Sequence, residues 1–447
     1  MKKIIALLLV LALVIGLVAC GKTPETPNTD KPNTEKPADK PADGGNDAPP
    51  ADSDKPYDGA TVTWWHYPFT GEDQGYWDER AAVFYERTGI TVETTIIPWG
   101  ADGAAKLSAG FLSGTGPDVL YMTAETAYDL ISAGHLLDLN GVVPQEILDD
   151  EIYLEKTATG DKQYMLPYAG GVSYRGMAFN MDLLKAAGVE KVPETREEFL
   201  AAALKVKEAG VCEYPVMLPM ATAAETTMTS ILPNIWSGGG DFATPEGEVV
   251  FDSAENLETL QWMYDLIYTH GVLSEDCTGI DTTAQIDLFI EGKIAMLWGE
   301  TWPYVDRAAE IGFEWTTSLG IAPEGGKVMT FCPTDMVAVN ANAKNQGAAI
   351  EWLKFLLSVE QRDNFRETNY TTLLQLNKSA APITYPVDCI NADMAAAGEH
   401  TRALPIVKGC STMTTEMCTN VQLMMMGELT PEEAVAAIQA ACEAAAG

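Results

Sequence analysis

The chain has 447 residues, 64 acidic side chains against 28 lysines and arginines, and a formal net charge of −36. This length accommodates two or three ordinary domains, and the apolar content of 47% excludes wholesale disorder. The acidity argues against nucleic acid and anionic lipid as partners, because both are bound by cationic surfaces.

The first residues have the features of an export signal. Lys2 and Lys3 precede an apolar run, 4–18, that is too short to span a bilayer. The run ends in Leu17-Val18-Ala19-Cys20, which resembles a bacterial lipobox, where cleavage leaves the cysteine as a lipidated N-terminus. We predict a signal peptide over 1–19 and lipidation of Cys20, the only contact with the membrane. A plain signal peptide with an incidental Cys20 is the alternative.

The following segment has the composition of a linker. Residues 21–56 contain no aliphatic or aromatic side chain larger than Ala or Pro, and 8 of the 25 prolines lie there. Such a segment cannot bury a core, so we predict that 20–56 comprises the lipidated cysteine and a disordered, Pro-rich linker. In a polyproline II conformation the linker reaches on the order of 100 Å.

From Tyr57 onward the sequence alternates between strand and helix patterns. Apolar spacing predicts strands over 61–65, 90–96 and 118–122 and helices over 75–88 and 104–112. This alternation indicates a parallel sheet covered by helices.

Later helices and strands follow the same pattern. Helix starts are indicated by Thr195 with Glu198, by Asp252 or Ser253, and by Thr430 with Pro431 and Glu433. Strands are predicted over 294–298 and 336–340. The ordered part, about 390 residues, is too long for one simple layer, so we expect two α/β lobes.

Compact catalytic signatures are missing from the sequence. There is no GxSxG, HExxH, P-loop or EF-hand motif, and the four histidines are too widely spaced for a metal site. The run 238–243 fits a loose GxGxxA, which we interpret as a flexible surface loop. The many acids leave a glycosidase-type carboxylate pair open. We nevertheless predict a binding protein without enzymatic activity, metal or cofactor.

Seven cysteines remain besides Cys20, and no two of them form a CxxC motif. Their spacing assigns no disulfide. An exterior location permits disulfides, but buried free thiols are the simpler interpretation.

Aromatic side chains stand where predicted strands end. In open α/β sheets, ligands bind beyond the carboxyl ends of the strands. Indole and phenol rings can stack there on the C–H faces of a sugar, while acids accept its hydroxyl protons. Packing in the core is the alternative for each ring: one of Trp64 and Trp65 must point inward, and Tyr121 reads as the end of a buried strand. Trp236 and Trp302 lie in predicted loops, where no packing pattern demands them.

Several motifs together carry a family likeness. They are Ser113-Gly114-Thr115-Gly116-Pro117-Asp118-Val119, Ser132-Ala133-Gly134-His135-Leu136-Leu137-Asp138-Leu139, Leu166-Pro167-Tyr168, Phe179-Asn180-Met181-Asp182-Leu183-Leu184, Phe289-Ile290-Glu291-Gly292-Lys293-Ile294-Ala295-Met296, Gly299-Glu300-Thr301-Trp302 and Ala348-Ala349-Ile350-Glu351-Trp352-Leu353-Lys354-Phe355-Leu356. In their order and spacing the chain resembles family 1 extracellular solute-binding proteins of ABC transporters, the group that includes maltodextrin-binding protein.

The resemblance implies a periplasmic-binding-protein-like type II fold, in which crossing hinge segments join two α/β lobes around a ligand cleft. We expect one lobe over 58–168 plus 335–375 and the other over 170–330 plus 376–447. The resemblance further implies closure on a sugar or oligosaccharide and delivery to a membrane permease. We expect a monomer on the extracellular face of the bacterial cell membrane.

The resemblance also adds residues to the expected site. Glu125 and Thr126 stand where the maltodextrin-binding relative has an acid and a base that contact sugar hydroxyls, so the acid is kept and the base is lost. Trp302 matches a sugar-stacking tryptophan, and Asp335 lies near an expected hinge. The complete predicted ligand site is Trp65, His66, Trp99, Glu125, Tyr168, Trp236, Glu300, Trp302 and Asp335. A non-sugar ligand such as a polyamine, a glycan-degrading enzyme and a structural lipoprotein are the alternatives.

Overall fold

A computed structural model describes residues 55–68, 73–98, 101–154, 157–171, 175–221, 226–300, 307–331, 335–369, 373–374, 377–379, 388–389, 393 and 400–447. The predictions for 1–19 and Cys20, and nearly all of the linker, lie outside these ranges.

The strands, in chain order, are β1 Thr61–His66, β2 Thr91–Ile96, β3 Val119–Met122, β4 Met165–Gly171, β5 Arg175–Asn180, β6 Tyr214–Met217, β7 Ile294–Glu300, β8 Trp315–Ser318, β9 Thr330–Phe331, β10 Asp335–Val339, β11 Leu373–Leu374 and β12 Thr401–Arg402. They form a six-stranded sheet in the order β11-β4-β10-β3-β1-β2, a four-stranded sheet in the order β6-β7-β5-β8, and the pair β12-β9.

The α-helices are α1 Asp73–Thr88, α2 Ala101–Ser113, α3 Ala124–Ser132, α4 Gln145–Asp150, α5 Met181–Ala186, α6 Arg196–Ala209, α7 Leu232–Ser237, α8 Ala254–Tyr268, α9 Thr282–Ile290, α10 Gln346–Leu357, α11 Val359–Asn369, α12 Cys410–Met425 and α13 Pro431–Ala446. A π-helical turn, Thr227–Ile231, leads into α7, and 3-10 turns lie at Glu275–Gly279 and Ala308–Glu310.

The six-stranded sheet and its helices form the first lobe. Its β1 pairs in parallel with β2 and β3, which confirms the predicted parallel sheet, while β10 pairs antiparallel with β3 and β4. Trp64 on β1 lies at the centre of this core, with its ring centroid 5.5 Å from that of Trp77 on α1 and 6.4 Å from that of Trp352 on α10.

The four-stranded sheet and its helices form the second lobe. Trp298 on β7 is buried against Phe199 on α6 and Trp262 on α8, at centroid distances of 4.9 and 5.9 Å. The C-terminal helices α12 and α13 join the same core, although the chain visits the first lobe between β10 and β11.

The chain therefore passes between the lobes more than once. Gly171 ends β4 in the first lobe, and Arg175 begins β5 in the second. Phe331 ends β9 in the second lobe, and Asp335 begins β10 in the first. A third passage runs from 377–379, which are hydrogen-bonded to Asp150 in the first lobe, to β12 in the second. We call these passages the three crossings.

Local hydrogen bonds explain why the predicted helix starts are found. Ser253, rather than Asp252, caps α8 by accepting from the backbone N–H of Asn256. Thr430 and Glu433 form a reciprocal capping box on α13. Thr195 caps α6, but the Glu198 carboxylate accepts from Glu194 instead of returning to Thr195.

Two loop interpretations are wrong. Trp236 lies in α7, where Pro233 occupies the first turn, a position that tolerates proline because its missing N–H has no helical partner there. The turn 238–243 is packed rather than a flexible surface loop. A Cβ atom at Gly240 would lie 1.9 Å from Oδ1 of Asn256, and one at Gly238 would lie 2.2 Å from Oγ1 of Thr259.

The described cysteines are free thiols, as the simpler interpretation proposed. Four are buried and two are half-buried: Cys277, Cys410, Cys418 and Cys442, then Cys212 and Cys389. Within the described part of the chain, no helix combines the length and apolar character needed to cross a membrane.

Candidate ligand-binding site

Three tyrosines meet at the edge of the six-stranded sheet where β1 and β3 end, and we call them the tyrosine cluster: Tyr67, Tyr121 and Tyr168. The ring of Tyr121 contacts the other two edge-on, with its centroid 6.1 Å from Tyr67 and 5.9 Å from Tyr168. All three side chains are buried. The cluster joins predicted Tyr168 to two tyrosines outside the predicted site.

Asp335 connects the tyrosine cluster to a crossing. The Tyr121 hydroxyl donates a 2.7 Å hydrogen bond to Oδ2 of Asp335, the first residue of β10. Burial raises the pKa of Tyr121 well above its usual value, and the nearby Asp335 raises it further. The phenol therefore stays protonated and acts as a donor.

Glu125 brings a second carboxylate towards the cluster. It lies in the first turn of α3, where the helix dipole favours negative charge. Burial raises the pKa of Tyr67 strongly, and the charges of Glu125 and then Asp335 add to the shift. Cys410 begins α12 in the other lobe. Burial raises the pKa of its thiol, and the charge of Glu125 raises it further. The preceding residue, Ala124, packs against the core of the second lobe, so Glu125 lies where the two lobes approach each other.

Trp65 and His66 occupy opposite faces of β1. Trp65 is half-buried against α2, where Nζ of Lys106 lies 5.3 Å from its ring centroid and Gly110 permits close approach. His66 is fully buried, with its ring 5.9 Å from Trp64 and 4.9 Å from Trp77. Its Nδ1 lies 3.0 Å from the carbonyl oxygen of Tyr67, so the histidine supports the cluster backbone from inside the core.

Trp236 lies in the second lobe and is covered on both faces. Phe331 stacks on one side at a centroid distance of 6.4 Å, and the guanidinium of Arg402 lies 4.7 Å from the indole centroid. Asp241 accepts both the indole N–H, at 3.0 Å, and a bond from Arg402, at 2.5 Å. Trp236 is therefore buried in this structure, in the core of the second lobe.

The structure leaves part of the predicted site undescribed. Trp99 and Trp302 lie outside the described residues. Glu300 ends β7 opposite Arg175, and only its backbone is described. Among the residues that the structure describes, no group of three or more His, Cys, Asp or Glu is placed to hold a metal ion.

The predicted site leaves out Tyr67, Tyr121 and Arg402, although both tyrosines are among the aromatic residues noted at strand ends. A signal for the tyrosines exists, because a buried tyrosine at a strand end needs a partner for its hydroxyl. No sequence pattern indicates the position of Arg402, because its carboxylate partner Asp241 lies 161 residues away in the chain.

Relatives with known names are binding proteins. A Brucella abortus (strain 2308) protein, named only as a binding protein, is 26% identical and covers 80% of this chain and 86% of its own length. The diacetylchitobiose binding protein DasA of Streptomyces coelicolor is 24% identical and covers 82% and 81%. The galactooligosaccharide-binding protein of Bacillus subtilis is 23% identical and covers 57% and 60%.

Solved structures share the fold. A sugar transporter of Arthrobacter chlorophenolicus A6 with bound laminaribiose matches with a TM-score of 0.74 and 16% identity over 86% of this chain and 99% of that chain. Maltose-bound MalE3 of T. maritima matches with a TM-score of 0.70 and 20% identity over 86% and 99%. The fold is the type II periplasmic-binding-protein-like fold, with two α/β lobes, as predicted.

The family described as bacterial extracellular solute-binding protein matches residues 39–363. Together with the two lobes and the three crossings, this match shows that the chain belongs to the family of bacterial extracellular solute-binding proteins.

Proposed function

We propose that the chain is the ligand-binding component of an ABC importer and that it takes up a sugar or oligosaccharide between its lobes. The observation that carries the proposal is the tyrosine cluster, with Asp335 and Glu125 beside it, at the sheet edge next to the crossings. Aromatic rings offer apolar faces to a sugar, and carboxylates accept its hydroxyl protons. The cluster places both kinds of group side by side on one sheet, where the three rings are buried in this structure.

The names of several relatives support a carbohydrate. One is a diacetylchitobiose binding protein, another is a galactooligosaccharide-binding protein, and two structures of the same fold contain laminaribiose and maltose. These ligands are all saccharides. We carry over the class of ligand and leave the particular sugar open.

The proposed site combines residues from both lobes. Glu125, Tyr168, Asp335 and Trp65 belong to the first lobe, while Trp236 and Glu300 belong to the second. Trp302 is added as a prediction from the sequence. For His66 we propose a supporting role, because the core buries its ring. Trp99 stays a prediction from the sequence.

Closure of the lobes supplies the signal to the transporter. A ligand that contacts both lobes binds the closed form more tightly and so shifts the population towards it. We propose lobes over 58–168 plus 335–375 and 170–330 plus 376–447, with the boundaries moved so that Gly171 and 377–379 belong to the first lobe and Phe331 to the second. We further propose a monomer and recognition of the closed form by a permease. The chain itself is proposed to carry no enzymatic activity.

Anchoring is the second part of the proposal. The sequence 17–20 supports cleavage after a signal peptide of residues 1–19 and lipidation of Cys20. The Pro-rich linker then tethers the binding lobes at the extracellular face of the membrane. Mass spectrometry of the protein from membranes is expected to show a lipidated Cys20 at the N-terminus, and Cys20→Ala is expected to release the protein from the membrane fraction.

A cationic amine is the second candidate ligand. It is favoured by one observation: both side-chain charges that raise the pKa of Tyr67 are negative, those of Glu125 and Asp335. Carboxylates next to aromatic faces also suit an ammonium group.

A thermal-shift panel separates the candidates. The purified protein is heated with maltose, laminaribiose, diacetylchitobiose, putrescine or spermidine, each in large excess. At 100 times Kd a ligand stabilises the folded state by about 2.7 kcal/mol. A shift with a saccharide supports the proposal, and shifts with amines alone replace it with the second candidate.

A further inference from the structure

A buried ion pair in the first lobe lies outside the proposed ligand site. Nη2 of Arg362 on α11 donates to Oε1 of Glu151, just after α4, at 2.5 Å, and the two side chains are 6% and 1% exposed. Burying two charges is unfavourable unless they are paired and hydrogen-bonded in good geometry. A contribution to stability alone therefore does not explain this pair. The contacts of its two residues indicate a different role.

Arg362 holds the strand that leads into the first crossing. The same Nη2 donates a 2.9 Å hydrogen bond to the carbonyl oxygen of Pro167 on β4. The guanidinium carbon also lies 6.0 Å from the ring centroid of Tyr168, the next residue. Four residues after Pro167, β4 ends at Gly171, and the chain continues in the second lobe at Arg175.

Glu151 holds the segment that leads into the third crossing. Its backbone forms an antiparallel bridge with Asn377, and the N–H of Lys378 donates to the carbonyl oxygen of Asp150 at 2.7 Å. The Asp150 carboxylate accepts from both the N–H and the hydroxyl of Ser379, at 2.8 and 2.6 Å. One ion pair therefore joins the residues that fix two crossings.

Aromatic contacts connect Arg362 to the second crossing, which leads from Phe331 to Asp335. Tyr168, beneath Arg362, packs against Tyr121, and Tyr121 donates to Asp335 at the start of β10. Contacts thus run without a gap from Glu151 through Arg362, Tyr168 and Tyr121 to Asp335. This path touches the first-lobe end of each crossing.

We propose that Glu151 and Arg362 are positioning residues that hold the three crossings in register and thereby set ligand affinity from outside the cleft. The proposal rests on the proposed function, because it concerns the affinity of that same site. The buried contact is a single hydrogen bond between Nη2 of Arg362 and Oε1 of Glu151, so a shift of either crossing breaks it. Networks of this kind change the coupling between distant sites by about 0.5–2 kcal/mol, a factor of about 2 to 30.

The charges around Glu151 make the pair sensitive to pH. Burial raises the pKa of Glu151 to about 7, although Arg362 opposes the shift, and Asp150 and Lys378 act in opposite directions. Burial also acts on Asp150, but hydrogen bonds from Ser379 and Asn377 hold its pKa below the usual value. Protonation near neutral pH thus removes the charge of Glu151 while the neighbouring aspartate stays ionised.

The test compares three variants of the purified protein. Glu151→Gln removes the charge and keeps the shape, and Arg362→Met removes the guanidinium. Glu360→Gln is the control, because Glu360 lies on the same helix but pairs with Arg87 at the surface, where the side chains are 60% and 48% exposed. Kd for maltose and laminaribiose is measured at pH 6 and pH 8, and small-angle X-ray scattering gives the radius of gyration without ligand.

We expect Glu151→Gln to weaken saccharide binding about three- to tenfold at pH 8 and to abolish the pH dependence of Kd between 6 and 8. Its radius of gyration without ligand is expected to differ from that of the wild type, while Glu360→Gln matches the wild type in both measurements. If Arg362→Met does not fold, Glu151→Gln decides alone. A purely structural role would lower the melting temperature and leave Kd and its pH profile unchanged.

The experiment distinguishes failure of the proposed ligand from failure of the proposed positioning role. If wild-type protein binds neither saccharide, the proposed ligand is in doubt, and scattering without ligand tests the pair by itself. If Glu151→Gln matches the wild type in scattering, and in Kd wherever binding is seen, the positioning role is overturned.

Discussion

Each lobe places an arginine, a carboxylate and an aromatic ring beside a crossing, but the two trios differ in burial. In the first lobe Arg362 bonds to Glu151 at 2.5 Å and lies 6.0 Å from the Tyr168 ring centroid, with side chains 6% and 1% exposed. In the second lobe Arg402 bonds to Asp241 at 2.5 Å and lies 4.7 Å from the Trp236 centroid, with side chains 39% and 24% exposed.

The comparison shows that the same kinds of contact have different energetic consequences when they are buried and when they are partly exposed. A buried pair excludes water, so loss of one partner leaves a charge without compensation. Water replaces the contact of a half-exposed pair at little cost, so such a pair can open. We therefore interpret the first trio as part of the frame and the second as a movable cover over Trp236.

The largest effect is expected for Arg362→Met. At pH 8 it leaves the buried Glu151 without its cation and should lower the free energy of unfolding by about 3–5 kcal/mol. Urea denaturation measures the loss. The double variant Glu151→Gln with Arg362→Met is expected to recover much of it, because no charge stays buried. A loss below about 1 kcal/mol would show that the first trio behaves like a surface pair.

Tyr121→Phe tests the link from the tyrosine cluster to Asp335. Removing the hydroxyl takes away a donor to a buried carboxylate, which is worth about 1.5–3 kcal/mol. Thermal and urea unfolding measure the change. Tyr264→Phe in the second lobe is a control with a half-buried ring and should change stability far less. Equal effects for the two variants would contradict the account.

Trp302→Ala tests whether the predicted second lobe contributes an aromatic contact to the ligand. The prediction comes from the sequence, where Trp302 follows Gly299-Glu300. Loss of a stacking face is expected to weaken saccharide binding at least about tenfold, or about 1.4 kcal/mol, without unfolding the protein. Calorimetric titration measures Kd, and circular dichroism verifies the fold. Unchanged affinity would remove Trp302 from the site.

The pH dependence of stability separates the two trios. Because burial raises the pKa of Glu151 to about 7, the folded state binds a proton that the unfolded chain releases near its ordinary value. The contribution of Glu151 to stability is therefore fully present below the unfolded pKa and is lost as pH rises through 7. Between pH 6 and 8 the wild type should lose on the order of 1 kcal/mol relative to Glu151→Gln. Parallel curves for the two proteins would refute the assignment.

Arg402→Met should have the smallest effect on stability. The pair with Asp241 is half-exposed, so its loss should lower the free energy of unfolding by less than about 1 kcal/mol. Uncovering the indole of Trp236 should nevertheless red-shift the tryptophan emission. Lys408→Met, at an exposed position of the same lobe, is the control for fluorescence. A large loss of stability would show that Arg402 belongs to the frame and is not a cover.

Local chemistry explains which parts of the fold could be predicted. Helix starts such as Thr430 depend on residues within one turn, and the strand β1 is visible in its own alternation. The helix that carries Trp236 was missed because Pro233 and the following glycines read as a loop. The packing of Gly238 against Thr259, which lies in α8, depends on tertiary contacts.

The site was less predictable because its contacts are distant in sequence. Tyr121 and Asp335 are 214 residues apart, and Arg362 and Glu151 are 211 residues apart. The sequence groups Tyr168 with the aromatic residues at strand ends, whereas it lies inside β4. The sequence also could not show that His66 points into the core or that Arg402 covers Trp236. Individual contacts of this kind therefore depend on the tertiary structure.

Isothermal titration of the purified protein with saccharides tests the central claim most directly. Maltose, laminaribiose and diacetylchitobiose are titrated in parallel with putrescine and spermidine, with Cys20→Ala as a control whose binding lobes are unaltered. The account predicts saturable binding of at least one saccharide, one per protein molecule, and weaker or no binding of the amines. Saturable binding of an amine without binding of any saccharide would contradict it.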